Sequence, residues 1–287
     1  MRRSGMVTFW AGHDMPVIIS PNMVIGGSSG TIPPFPLTHA RIGYKTICTR
    51  LNVIASSESA GNPAEDAVNP FTNEYWAPVT LPATWTCSRA SAVDTDYIGI
   101  AGHTLGTYGN TVKIEYSTDG TTYVELYSFT PTDNTPIMLI YATVTALNWR
   151  LTVSGGTGIP RIGVIYIGES MQMQRPLYGG HAPLKMSRST TILNQMSEAG
   201  QFTARSIIRK GVETSYEWNN LTADWVRQYF DPFAKAARRV PFFIAWRPIS
   251  FPAETGFVWT KSDLIPVNMG VKNYMSVSME VAGVGDD

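Results

Sequence analysis

The residue types able to carry catalysis or hold a metal are scattered along this chain rather than gathered. Its four histidines, His13, His39, His103 and His181, fall in four separate segments. None has a second His or Cys at the short spacing that brings two ligands to one zinc ion, so no metal site is expected. No Gly-x-Ser-x-Gly elbow, P-loop or dinucleotide fingerprint occurs. Gly26-Gly27-Ser28-Ser29-Gly30 lacks the lysine of a phosphate-cradling loop and reads as a flexible linker. Two carboxylate pairs, Asp94 with Asp96 and Glu65 with Asp66, have the residue types that glycoside hydrolysis needs. Aspartate also closes turns through its own side chain, and turn roles explain both pairs better. The expectation is a protein with no cofactor and no catalytic residues, not an enzyme.

The balance of charge narrows the partners. Over 287 residues, 22 basic and 22 acidic side chains cancel, and charged residues are only 15% of the chain, against roughly 25% in an average soluble protein. Neither a nucleic acid nor an anionic membrane is an expected partner. Thr, Ser, Asn, Gly and Pro supply much of the polarity, a pattern that suits β-rich proteins whose surfaces are buried in assemblies. Cys48 and Cys87 are too few for a disulfide framework and are read as free, buried thiols. No window approaches the apolar length of a membrane-spanning helix, and MRRSGMVTFW is too short an apolar run for a signal peptide. Synthesis and folding in a cytoplasm are therefore expected.

The elements that would position any site are mostly strands. Val112 to Leu126 alternates apolar and polar residues on both sides of Asp119-Gly120, the residues a tight turn needs, and predicts a β-hairpin. Further strands are expected at Tyr44 to Leu51, Ala83 to Cys87, Tyr97 to Ala101, Pro136 to Tyr141, Trp149 to Val153 and Ile162 to Ile167. Between Tyr97 to Ala101 and the hairpin lies the Gly-rich loop Gly102 to Asn110. Before all of these come an apolar arm, the linker and the stiff Ile32-Pro33-Pro34-Phe35-Pro36. Short strands separated by turn signals, with no helical period over more than a hundred residues, predict an antiparallel β-sandwich.

The order of Tyr75-Trp76, Tyr97-Ile98-Gly99-Ile100, Glu115-Tyr116-Ser117-Thr118-Asp119-Gly120 and Asn148-Trp149-Arg150-Leu151-Thr152-Val153 resembles the galactose-binding-like jelly roll of discoidin and coagulation-factor type C domains. The resemblance covers residues 42–170. It implies sugar binding by loops at one end of the sandwich, and so a ligand set of Trp76, His103, Tyr108 and Asn110; the alternative is that His103 bonds a loop carbonyl and Trp76 packs under the sheet. It also raises a structural calcium near Asp66 and Asn69, where the dense acidic ligands of such a site are missing.

After Glu169 the pattern changes. Strands are expected at Thr190 to Met196, Gln201 to Arg209, Glu213 to Trp218, Phe242 to Trp246, Phe257 to Thr260 and Tyr274 to Val281. They surround one helix with Thr222 as N-cap, an apolar face of Trp225, Tyr229, Phe233, Ala236 or Ala237, and Val240, and a kink or restart at Pro232. This half, with Pro241-Phe242-Phe243 and Asn273-Tyr274-Met275-Ser276-Val277, resembles tail-assembly proteins of tailed bacteriophages that carry a discoidin-like insert. The resulting expectation is mainly β: an arm over 1–41 that completes the last domain or packs on a neighbour, a jelly-roll sandwich over 42–170, and a tail-tube-like α+β domain over 171–287. The resemblance implies a structural part of a phage tail, at the tail tip, baseplate or distal-tail position, closing into a homo-oligomeric ring with other tail proteins as partners. Trp246 and Trp259 are its candidate interface residues. The alternative is a carbohydrate-binding module that attaches a virion to host-surface glycan.

Overall fold

The computed structural model describes residues 17–19, 37–177, 179–252, 254–270 and 273–284; of the predicted arm and linker over 1–41, residues other than 17–19 and 37–41 lie outside them. The chain is mainly β. Its strands are β1 Val17–Ile19, β2 Arg41–Gly43, β3 Val53–Ala55, β4 Ala83–His103, β5 Thr111–Ser117, β6 Val124–Phe129, β7 Ile137–Ser154, β8 Ile162–Gly168 and β9 Met171–Gln172. They continue as β10 Thr191–Met196, β11 Phe202–Arg209, β12 Gly211–Thr222, β13 Phe242–Ala245, β14 Thr255–Thr260, β15 Val267–Asn268 and β16 Tyr274–Val284.

The sandwich is built round one long antiparallel ribbon. β4 and β7 pair from Ala83↔Val153 to Ile100↔Ile137, with register shifts at Ser88/Val93 and Thr95/Tyr97. Those bulges let both strands bend round the core without breaking, as extra residues in one strand do. The sequence suggested two strands in each case, because the exposed, polar corner at Arg89–Asp94 looks like a turn. The first half of β4 joins β3 and, through β7, β5 and β6 in one leaf; its second half joins β8 in the other, where β1 runs parallel to β7. The 5–6 hairpin is present, but its connection runs over six residues, 118–123, rather than a two-residue turn. Asp119 holds that connection by accepting the N–H groups of Thr121 at 2.8 Å and Thr122 at 2.7 Å, while Gly120 takes φ 81°. Tyr44 to Leu51 is not a strand: β2 ends at Gly43 and the chain crosses to β3 in irregular form.

The two leaves read differently in sequence because they face different surroundings. In the outer leaf Trp85, Cys87, Ile114, Trp149 and Leu151 point into the sandwich core. Its opposite side carries Arg150, whose Nε donates to Glu115 Oε2 at 2.8 Å, and Thr152, which donates to the same oxygen at 2.8 Å. Burial acts to raise the Glu115 pKa, but these bonds and Lys113 hold its carboxyl well below the usual carboxylate range. The inner leaf is covered on both sides. Ile98, Ile100, Leu139, Ile165 and Ile167 enter the sandwich core, whereas Tyr97, Met138, Ile140, Val164 and Tyr166 pack against Phe243, Ala245 and Phe257 of the next sheet. Strands buried on both faces become unbroken apolar runs, as in Ile137–Tyr141 and Ile162–Ile167.

That next sheet has the order β12-β16-β14-β13-β2-β9, with β15 on β16. β2 and β9 flank the sandwich in sequence and pair with each other, Ile42 opposite Met171, so the sandwich enters and leaves through a clasp in the second sheet. Arg41 lies 3.3 Å from Asp96 across this joint, and the Ser170 N–H donates to Asp96 at 2.6 Å. Asp94 and Asp96 thus belong to β4 and not to a turn.

One main helical segment, residues 223–237, covers the far face with Val226, Phe230, Phe233, Ala234 and Ala237. Ala223–Trp225 and Asp231–Ala237 are α-helical, but Val226–Phe230 forms a π turn. Asp231 therefore does not cap a restarted helix: the backbone stays right-handed helical through Phe230 and Asp231, and the distortion expected at Pro232 takes the form of the wide turn just before it. The extra residue in the turn rotates the buried face by about one position, which leaves Tyr229 exposed and Trp225 half-buried. Thr222 makes no side-chain cap either. Its hydroxyl accepts from Gln174 Nε2 at 2.9 Å and its N–H donates to Gln174 Oε1 at 2.8 Å. Cys48 and Cys87 are buried free thiols.

A cleft at the open end of the sandwich

At the end where β4 stops and β8 begins, four loops meet around a cleft of about 840 Å³. Its floor is the end of β4. His103 is buried there and fully bonded in the neutral state: Nε2 donates to the Thr135 carbonyl at 2.9 Å, and Nδ1 accepts the Leu105 N–H at 3.4 Å. Burial, opposed by the Thr135 bond, lowers its pKa from 6.5 to about 4.

One wall is the helical turn Leu105–Tyr108 with the 132–135 loop. The Thr107 N–H donates to Asn134 Oδ1 at 3.1 Å, and Asn134 Nδ2 returns a bond to Thr107 Oγ1 at 2.7 Å. Asn110 holds the neighbouring 155–158 loop through Nδ2 bonds to the Gly155 and Gly158 carbonyls, at 2.8 and 3.1 Å. Gly158 in turn lies against the Tyr108 ring so closely that a Cβ there would sit 2.5 Å from it. Tyr108 is thereby held in the lining of the cleft.

Tyr75 and Arg161 also line the cleft, with the guanidinium 5.4 Å from the ring centroid. Both are set by backbone pairing. Trp76 and Ile162 exchange N–H···O bonds of 2.9 Å in each direction, and Thr104 and Arg161 pair through a 3.1 Å bond from the Thr104 N–H. An aromatic face beside a guanidinium, with Asn73, Thr107 and Asn134 within the same cleft, offers a stacking surface and several hydrogen-bond donors and acceptors. That chemistry suits a flat, hydroxyl-rich ligand.

Of the four residues the resemblance implied, Tyr108 and His103 line the cleft. His103 has both ring nitrogens engaged within the protein. Asn110 is fully enclosed and acts as a loop staple. Trp76 is also fully enclosed, its Nε1 donating to the Ser57 carbonyl at 3.1 Å, so it presents no face to a ligand. Tyr75 and Arg161 went unread. The signal for Tyr75 was available: in extended chain neighbouring side chains point to opposite sides, so a buried Trp76 turns Tyr75 outward. Nothing local marks Arg161. Of the two candidate interface residues, Trp246 is buried, stacked on Phe251 at 4.8 Å and donating to Glu254, whereas Trp259 is partly exposed. Asn69 gives its amide to Glu74 at 2.5 Å, and Asp66 lies 3.8 Å from Arg50. Among the described residues no group of three or more His, Cys, Asp or Glu is placed to hold a metal ion.

The buried imidazole sets a pH dependence. Unfolding raises the His103 pKa from about 4 to 6.5, so the unfolded chain binds more protons and stability is lost as pH falls through that window. We expect a loss on the order of 2 kcal/mol between about pH 7.5 and 4.5. In urea titrations His103→Gln should flatten this part of the profile, and an unchanged slope would count against it.

No family model and no curated relative matches the sequence. Similar solved structures include carbohydrate-binding modules. A pectin-binding module is 19% identical, with 43% of this chain and 90% of that one covered at a TM-score of 0.37. The first chitosan-binding module of a Paenibacillus sp. IK-5 chitosanase/glucanase is 18% identical over 43% and 98%, at 0.38. A family 32 module of Clostridium perfringens NanJ, in complex with galactose, is 17% identical over 45% and 98%, at 0.36.

Proposed function

We propose that the sandwich is a carbohydrate-binding module whose sugar sits in the end cleft between the Tyr75–Arg161 wall and Tyr108, and that the protein acts by binding rather than turnover. The observation that carries this reading is the Tyr75 ring and the Arg161 guanidinium held at the cleft by rigid backbone pairing. A sugar ring stacks its apolar face on Tyr75, while Arg161, Asn73 and Asn134 bond its hydroxyls. A host-surface glycan is the proposed ligand. On a glycan array followed by calorimetry, Tyr75→Ala and Arg161→Ala should each weaken binding about tenfold, as loss of a stacking partner or a charged hydrogen bond does. Wild-type protein that binds no glycan, or variants that bind as it does, would remove the proposal.

A second reading is favoured by a different feature. The β10–β11 hairpin carries Ile192 opposite Ile207 and Met196 opposite Phe202, all exposed, and pairs with no other strand among the described residues. A lone apolar hairpin with two open edges is a template for association. It supports a homo-oligomer, which a ring-forming part of a phage tail would need to be. Light scattering should then give a multiple of the chain mass that Ile192→Ser with Phe202→Ser reduces to a monomer. A wild-type monomer at high concentration would end this reading and leave the first intact.

A further inference from the structure

A second cleft, of about 330 Å³, opens where the root of the β10–β11 hairpin meets the end of the sandwich. The chain as a whole is neutral, yet the charged side chains lining this cleft, Lys185, Arg188 and Lys210, are all cationic. On its β14 side Thr255 is 6% exposed, and its hydroxyl has no hydrogen-bond partner among the described residues. A buried hydroxyl left without a partner costs free energy unless something fills the position. Gly256 leaves the space beside it: a Cβ there would meet Leu184 at 2.7 Å. Thr135, Pro136 and Val284 line this cleft and the end cleft alike, so the two form one groove that changes along its length from aromatic and hydroxyl-bonding to cationic.

We infer that this groove selects acidic oligosaccharides, whose carboxylate or sulfate groups lie between Arg188 and Lys210 and accept the Thr255 hydroxyl, while the neighbouring sugar rings occupy the end cleft. This rests on the glycan reading for the end cleft and adds the ligand's charge. Carboxylates and sulfates share what the site recognises, a planar or tetrahedral oxyanion with several acceptor oxygens.

The test uses the full chain and three probes of equal length: an oligogalacturonate, a sulfated oligosaccharide and a neutral oligosaccharide, titrated by calorimetry at low and high salt. At least one acidic probe should bind about tenfold more tightly than the neutral one at low salt, an advantage that salt screens away. Which acidic probe binds assigns carboxylate or sulfate. Arg188→Gln with Lys210→Gln should erase the advantage and keep neutral binding. Thr255→Val should reduce the advantage about threefold, with thermal melts checking that each variant folds. Equal binding of acidic and neutral probes, or an advantage that survives in the double variant, overturns the inference and leaves the glycan reading standing. Acidic binding that is lost in the double variant but indifferent to Tyr75→Ala keeps the anion site at Arg188 and Lys210 but overturns the placing of sugar rings in the end cleft, and removes the glycan reading with it. No binding by any probe overturns both.

Discussion

Phe243→Ala is expected to cost about 4 kcal/mol of stability, the range for truncating a buried phenylalanine. Phe243 lies on the face of β13 turned towards the sandwich, with its ring 4.8 Å from Phe257 and 5.6 Å from Tyr166. It belongs to neither the sandwich core nor the core under the helix. It fills the layer between them, so its loss should weaken the attachment of the two sheets as well as the total stability. The partner that makes the position specific is Gly99, where an added Cβ would lie 2.5 Å from the Phe243 ring. Gly99→Val therefore overpacks the same layer, at a cost of about 3 kcal/mol. Combined in one chain, the small-for-large and large-for-small changes partly compensate. The double variant should be more stable than the sum of the single costs by about 1 kcal/mol or more. Simple additivity in urea denaturation would show that the two positions do not share a contact.

Gly106→Ala should cost at least tenfold in glycan affinity while leaving the sandwich core intact. The added methyl would sit 2.2 Å from the carbonyl oxygen of Asp133. Backbone atoms cannot rotate away as a flexible side chain can, so the helical turn and the 132–135 loop must part. That separation breaks the reciprocal Thr107–Asn134 bonds and moves Tyr108 relative to Tyr75, and stacking tolerates little displacement. Gly109→Ala is the control. It stands in the same loop with φ 64° and nothing within 4 Å of its would-be Cβ, so it should cost about 1 kcal/mol through backbone strain and keep affinity. If both variants bind equally well, the wall formed by Leu105–Tyr108 has no part in the site.

These two glycines illustrate what can be read from a chain and what cannot. Gly99 and Gly106 sit in a strand-like run and a loop, and neither neighbourhood says what lies above it. The contacts come from residues 144 and 27 positions away in sequence, Phe243 and Asp133. The same holds for the helix: its place was readable from apolar spacing, but the π turn that moves its buried face goes with Pro232 following it and with Phe233 packing on Phe242 and Tyr44. It holds too for the ligand set, where Trp76 drew notice by its size and the outward neighbour Tyr75 did not.

Alternation, turn residues and neutral composition by themselves determined that the chain is mainly β, where most strands lie, that the 112–126 region is a hairpin, and that one main helix follows in the second half. These are local properties, decided by the period of side chains along a strand or helix and by the few residues that turns accept. Tertiary structure decided that β4 and β7 are single bent strands, that the inner leaf is covered on both faces, that Tyr75, Arg161 and Tyr108 line one cleft, and that a cleft with cationic lining adjoins it. Each of these joins residues far apart in the chain, and such pairings follow from packing and register across sheets, which no local period encodes.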